Sequence, residues 1–352
     1  MNKFKKITLL LGALVLIGQG CVSVQFGAKG GADGGIWKTA DRGNSWFQKV
    51  VLPAVGSAKS IANVNTNSLT QDPSDPQAIY IGTNQNGLLY SYDGGESWNQ
   101  VDKLSLGRVE LPMIDPRDKC TIFVAQGNKL LKSVDCARTF NIIYFDARPD
   151  VRISSSLIHP RRVGEVFIGT SAGNLLKSAD GGLSWATLKT FPSQVQVIVL
   201  DPFSNVNFYL ATKGHGIWKS TDEGKTWQDL SPNTRNFIGS NEVSHLVQDI
   251  VANDSLFLVS KHGLLHSADG GLTWKKINLL TPPLTTVISS FAINPKNPRE
   301  MYYGTATTFY KTTDGGDTWS TKRLPSSRAA TALVLDYSNS NVLYMGVTQL
   351  QK

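Results

Sequence analysis

The sequence predicts an all-β fold: a seven-bladed β-propeller of four-stranded antiparallel blades, closed by one shared blade. Three observations predict it. First, the pattern Ser/Thr-x-Asp-x-Gly-x-Ser/Thr-Trp recurs at Thr39–Trp46, Ser91–Trp98, Ser178–Trp185, Ser220–Trp227, Ser267–Trp274 and Thr312–Trp319, with a worn copy at Ser133–Phe140 (SVDCARTF). Second, its aspartates (Asp41, Asp93, Asp135, Asp180, Asp222, Asp269 and Asp314) lie 52, 42, 45, 42, 47 and 45 residues apart. A period near 45 residues in a β-rich chain means one blade per repeat. Third, the two ends are complementary. The first box follows only Gly35–Lys38, and the last unit, Ala332–Val347, has two strands and no box. Together they make one blade from residues ~35–50 and ~328–348, a velcro closure that leaves no sheet edge exposed.

Each unit begins with an apolar run that ends at a polar corner: Asp72, Asp115, His159, Asp201, Gln248, Asn294 and Asp336. Where the others have Asp-Pro or a variant of it, the copy before Asp269 reads Val247-Gln248-Asp249. A β-branched and aromatic strand follows, as in Ile79–Thr83 (IYIGT), Val166–Thr170 (VFIGT) and Met301–Thr305 (MYYGT). Then come a glycine turn, a third strand such as Gly216–Ser220 (GIWKS), the box, and a fourth strand. Alternation and Gly/Asn/Asp/Pro punctuation support four short strands per unit. The box itself reads as a hairpin turn. Its Asp is expected to accept N–H groups two and three residues on, its Gly to take φ > 0, and its Trp to pack between sheets. All seven aspartates are therefore read as structural.

The ends and composition set further expectations. Lys3, Lys5 and Lys6 precede the apolar run Ile7–Ile17, which is too short to span a bilayer and ends at Gly18-Gln19-Gly20-Cys21. Residues 1–20 are read as an export signal, 21–34 as a linker and 35–350 as the propeller. The net charge is +8, or +5 without those three lysines, and it is scattered, so nucleic acid is not an expected partner. Cys120 and Cys136 flank a hairpin turn centred near Asn128, each eight residues away. Cross-strand placement in an oxidising compartment predicts a disulfide between them, in the copy whose box has lost its Gly pair and Trp.

No G-x-S-x-G, H-E-x-x-H, P-loop or zinc-type Cys pair is present. The five histidines (159, 215, 245, 262 and 266) are dispersed, and although His262 and His266 are close in sequence, no third ligand accompanies them. No metal and no cofactor is expected. The boxes resemble those of the Asp-box, or BNR-repeat, families: sialidases, xyloglucan-active glycoside hydrolases, sortilin-type ectodomains and photosystem II assembly-factor propellers. The N-terminal segment similarly resembles a bacterial lipoprotein signal, which implies lipidation of Cys21, although Gly18 stands where such signals usually have Leu. Sialidases carry an Arg-Ile-Pro segment near their start, which is absent here. Xyloglucan-active enzymes are typically two propellers with acid and base across the cleft between them, whereas one ring fills this chain. Of the eight tryptophans, six are box residues and Trp37 and Trp218 share one strand position, leaving none as a sugar platform. In size and layout the chain is most similar to the assembly-factor type. That resemblance implies a monomeric, envelope-anchored scaffold binding a protein, peptide or glycan at the channel face, or alternatively secretion to the periplasm.

If the repeat is structural, function belongs where the copies differ. Aligned on the corner, the residues five and seven positions earlier are mostly polar: Asn67 and Asn65, Glu110 and Arg108, Ser154 and Arg152, Gln196 and Gln194, and Ser289, with Asn241, Glu242 and His245 in the copy before Asp269. These positions should form the channel mouth, where propellers place ligands. Arg108, Glu110, Arg152, Gln194, Gln196, Asn241, Glu242 and His245 are the candidate rim. Glu110 and Glu242 are the candidate carboxylates of a glycosidase, which needs two that converge. The long connection Val51–Leu69 reads as a lid, a partner contact or a tolerated loop.

Overall fold

The computed structural model describes residues 32–54 and 58–350. The signal segment and Cys21 lie outside the described residues, as does most of the linker. Seven four-stranded antiparallel sheets follow one another around the ring. Blade 1 consists of Thr66–Asp72, Asp75–Thr83, Leu88–Ser91 and Asn99–Gln100. Blades 2 to 6 begin at Pro112–Asp115, Ile153–Ile158, Val195–Leu200, Val243–Gln248 and Ser290–Asn294. Blade 7 combines Ala329–Leu335 and Leu343–Thr348 with Gly35–Thr39 and Phe47–Lys49, and Ile36 pairs with Gly346 across the closure.

Each hydrophobic cluster is made by two successive blades, so the core is a set of inter-blade layers. Ile36 and Tyr344 of blade 7, for example, pack with Ile79 and Trp98 of blade 1. The box tryptophans bridge the same boundaries. Trp98, Trp185 and Trp319 donate their indole N–H to the outer strand or following turn of the preceding blade, at Lys49 O (2.9 Å), Ile143 O (3.1 Å) and Asn278 O (2.8 Å). An indole that buries its ring while satisfying its one donor is well suited to such a seam.

The turn chemistry differs in detail from expectation. In all seven boxes Asp Oδ1 accepts the backbone N–H four residues on, at 2.8–2.9 Å, and Oδ2 accepts the hydroxyl of the same residue. The reach is longer because both residues after the Asp are left-handed, as at Gly94 (φ 69°) and Gly95 (φ 82°), which widens the loop. The preceding Ser or Thr hydroxyl donates to Oδ1 and accepts the N–H four residues later, as Ser91 does for Gly95 at 2.8 Å. These bonds hold Asp41, Asp135 and Asp222 at about 2, with the hydroxyls of Ser45, Thr139 and Thr226 respectively the largest cause. Both carboxylate oxygens are spent on the turn.

In the worn box the two left-handed positions fall on Cys136 (φ 58°) and Ala137 (φ 65°), which have no glycine to ease them. Cys136 is bonded to Cys120, and its N–H donates to Cys120 O at 3.2 Å. The hairpin turn is Gly127-Asn128, since Gln126 pairs with Lys129. Strict register would set Asp135 opposite Cys120; the left-handed turn brings Cys136 there instead.

The connection Val51–Leu69 is no lid along its described length. Val51–Leu52 pairs with Lys59–Ser60, and Ile61 and Val64 are buried against Trp98 and Tyr344. It thickens the seam between blades 7 and 1.

Candidate functional site at the channel mouth

Seven corner side chains close the far end of the inner strands. Each is buried and accepts the N–H two residues on: Asp72, Asp115, His159, Asp201, Asp249, Asn294 and Asp336. The blade 5 corner is therefore Asp249, not Gln248. In a strand, a slip of one residue exchanges the two faces. With the alignment corrected, the two variable positions of blade 5 are Ser244 and Glu242, and Asn241 and His245 leave the equivalent set. Glu242 O accepts Lys261 N–H just as Arg152 O accepts Ser171 N–H and Gln194 O accepts Lys213 N–H, which fixes the equivalence.

Five of the expected residues do converge. Arg108, Glu110, Arg152, Gln194 and Gln196, with Ile153, Ser154 and Ser244, line a cavity of about 350 Å³ at the mouth. A second cavity of about 390 Å³ shares Arg108, Glu110 and Arg152 and adds Lys129 and the Gly127-Asn128 turn. Asn241 instead donates to Gly214 O at 2.9 Å, and Glu242 sits 3.4 Å from the Lys261 ammonium. His245 is half-buried in the channel wall beside the Ser244 hydroxyl, and burial lowers its pKa, so the ring is neutral at pH 7. Sequence reasoning missed Ser244; Asp249, one residue past the assumed corner, was the signal for it.

The converging groups are not equivalent. Arg108 is clamped: Nε donates to Glu110 Oε1 (2.8 Å), and the two terminal nitrogens donate to Asn84 Oδ1 (3.1 Å) and Asn67 Oδ1 (2.7 Å). Its charge is offset by Glu110 and its geometry is fixed. Among the described residues the Arg152 guanidinium has no hydrogen bond or ion pair; only its backbone is engaged, the N–H by Ser171 Oγ at 2.9 Å and the carbonyl by Ser171 N–H at 2.8 Å. The Gln196 side-chain carbonyl is buried and unpartnered. Other polar groups of the inner strands serve as staples between blades. Ser154 Oγ donates to Val195 O (2.7 Å), Ser289 Oγ to Ala330 O (2.6 Å) and Thr331 Oγ1 to Thr66 O (2.8 Å). His262 and His266 are separated: His262 bonds Ile238 O at one end of the third strand of blade 5, and His266 bonds Ser255 at the other.

Glu110 is the sole carboxylate lining either mouth cavity. The pair Glu110 and Glu242 therefore does not converge on one pocket.

The ring has counterparts among known proteins. The model of the DUF6242 beta propeller domain matches residues 205–349. The chain is a seven-bladed β-propeller. It is similar to a xyloglucanase from a Paenibacillus species, at 24% identity over 332 residues, covering 80% of this chain and 30% of that protein. Vacuolar protein sorting/targeting protein 10 of Colletotrichum graminicola is 36% identical over 62 residues, 17% of this chain and 4% of its own. The propeller thus spans about a third or less of the length of these curated relatives. Among solved structures, the GH74 xyloglucanase of Xanthomonas campestris superposes with a TM-score of 0.68 at 16% identity, covering 81% of this chain and 51% of that one. YCF48 of Cyanidioschyzon merolae gives 0.61 at 15% identity, covering 81% and 95%. YCF48 bound to D1 peptide gives 0.60. At these identities the shared property is the fold.

Proposed function

We propose that this propeller is a non-catalytic binding scaffold that captures an anionic segment of a protein partner at the channel mouth. The observation that carries the reading is the convergence of an unpaired Arg152 and two glutamines beside a clamped Arg108–Glu110 pair. An unpaired guanidinium offers a planar fork suited to a carboxylate. The amides of Gln194 and Gln196 offer donors and acceptors to a peptide backbone. Support also comes from YCF48, a ring of the same extent whose structure holds a D1 peptide. We further propose export and anchoring through a lipid on Cys21, which places the mouth at the cell envelope. Mass spectrometry of the mature N-terminus would test that step, and an unmodified or uncleaved Cys21 would refute it.

The binding test is fluorescence anisotropy with a library of peptides carrying acidic or free C-terminal carboxylates. Arg152→Ala is expected to weaken the tightest ligand by at least about tenfold, in line with loss of a charge-assisted bond. Arg108→Ala should cost less, because its charge is already offset. Equal binding by wild type and the Arg108→Ala/Arg152→Ala double variant would end the proposal.

The likeness to xyloglucanases supports a second reading, a glycoside hydrolase using Glu110. A glycosidase needs two facing carboxylates, and Glu110 has no such companion at the mouth. Turnover on a xyloglucan and mixed-glycan panel, abolished by Glu110→Gln, would favour this reading over the scaffold.

A further inference from the structure

On the opposite face of the ring, two of the seven seams lack a lysine that the other five carry; in blade 1 Tyr90 takes its place, packed against Tyr80 and Tyr92, and in blade 5 the place falls to a histidine. In every blade the second strand carries an aromatic residue just before the box end, paired in register with one residue of the third strand. The pairs are Tyr80–Tyr90, Phe123–Lys132, Phe167–Lys177, Tyr209–Lys219, Phe257–His266, Tyr302–Lys311 and Tyr344–Lys38. Five of the seven third-strand partners are lysines. Four of these hold their ammonium over the paired ring: Lys38 at 5.5 Å, Lys132 at 5.3 Å, Lys177 at 5.4 Å and Lys219 at 5.2 Å. From there the ammonium reaches the next blade's box at the residue after its Asp. Lys38 donates to Gly94 O (2.8 Å) and Lys132 to Gly181 O (2.9 Å). The lysine is a bolt between blades.

Blade 5 has His266 at this place. The shorter ring folds back on its own blade, 4.6 Å from Phe257, and bonds Ser255 Oγ at 3.0 Å. It does not cross the seam. A cavity of about 360 Å³ remains between blades 5 and 6, lined by Asp249, Ser255, Phe257, His266 and Met301, and by Gly315, the counterpart of Gly94 and Gly181. Its rim is open to solvent at the exposed Ala252, Asn253 and Arg299.

We propose that this cavity is a binding site for a primary alkylammonium group, which completes the seam as lysine does elsewhere. Three features of the Lys38 and Lys132 seams recur here: an aromatic ring, a corner carboxylate (there Asp336 and Asp115) and the glycine after the next box aspartate, here Gly315. In blade 2 burial raises the pKa of the same corner, Asp115, but the hydrogen bonds and charge of Arg117 hold it below its ordinary value, and Lys132 adds a smaller lowering. Burial keeps His266 neutral, so it does not repel a cation. The cations nearby are Arg299 and Lys275. Arg299 turns its guanidinium to Asp314 O (2.9 Å) and toward Asp317 (3.9 Å), and Lys275 lies on the outer strand opposite His266. The alkyl chain of the ligand would take the apolar wall of Phe257, Met301 and Ile277. The ammonium belongs either to a free amine or to a lysine side chain of a partner.

The test measures thermal unfolding of the protein against n-butylammonium, with 1-butanol as the neutral control and N-acetyl-lysine amide to separate the two sources. n-Butylammonium is expected to raise Tm, logarithmically with concentration above its Kd and by about 2 °C at ten times its Kd, while butanol does not. An equal or tighter response to the lysine amide identifies a lysine side chain as the source, and a weaker one a free amine. His266→Lys should raise the unliganded Tm and abolish the ammonium response, because the side chain supplies the group itself. His266→Ala should keep the response. The proposal is overturned if butanol matches butylammonium, if neither amine shifts Tm, if His266→Lys still responds, or if that variant is less stable than wild type.

Discussion

The two faces of this ring use polar residues in opposite ways. On the box face, polarity is consumed by the fold. Each box aspartate spends both oxygens within eight residues of chain, and most seams carry a lysine over an aromatic ring. At the channel mouth, polarity is left over. Among the described residues the Arg152 guanidinium and the Gln196 carbonyl have no partner there, although they sit at the start of or on well-packed inner strands. Abundance of polar groups therefore says little about function in a repeat protein. Whether their hydrogen bonds are already made says more. The departures from the repeat on the box face are Cys136 in the worn box and, at the lysine position, Tyr90 and His266.

Substitutions on the two faces should separate stability from binding. The largest effect is expected at the seam: Trp98→Ala should cost about 3–5 kcal/mol in denaturant unfolding, since the indole is fully buried between two blades and its N–H is bonded across them. A cost below about 1 kcal/mol would show that the blades do not depend on the box tryptophan. Next, the double variant Cys120→Ser/Cys136→Ser should lose about 3 kcal/mol, the closure entropy of a loop of this length. The two cysteines are separated by 16 residues. Restoring glycines at Cys136 and Ala137 in that background should recover part of the loss, because both positions are left-handed.

Gln248 sharpens the corner assignment. It is buried with both ends of its amide unpartnered, at the position held by Ile114, Ile158 and Leu200 in other blades. Gln248→Leu should stabilise by about 1 kcal/mol, whereas Asp249→Leu should destabilise, as expected for the true corner. Acid titration tests the boxes together. Their folded pKa values lie below the ordinary 3.8, at about 2 for Asp41, Asp135 and Asp222. Their contribution is therefore complete above pH 4 and is lost as pH falls toward 2. Tm should drop over that window, and Asp222→Asn should flatten the drop; a Tm independent of pH there would show that the turns do not need the ionised carboxylate. The smallest stability effect is expected at the mouth. Arg152→Ala should shift unfolding by less than about 0.5 kcal/mol while weakening ligand. A large loss of stability would mean the arginine belongs to the fold after all.

Much of this was legible in the residues, for a definable reason. A box closes within eight residues, so its Asp, Ser and Trp announce their roles in the order they are read. Asp93 and Ser91 meet because they are neighbours in the chain. Arg108 meets Asn67 and Asn84 because two blades bring them together, and nothing in the spacing of those residues distinguishes Arg108 from Arg152. The corner of blade 5 was misread by one residue because Gln248 and Asp249 are both polar and no proline marks the turn. Only the N–H of Val251 donating to Asp249 decides it.

The sequence by itself thus determined the blade count, the closure and the role of the boxes as turns, all of which rest on periodicity and on contacts within a few residues. Only the tertiary structure decided which arginine is clamped and which is free, that Glu110 and Glu242 do not face one pocket, and that His266 leaves a seam unfilled. Those outcomes depend on which side chains of different strands and blades meet in space, and the register of neighbouring blades, not the order of the chain, sets that meeting.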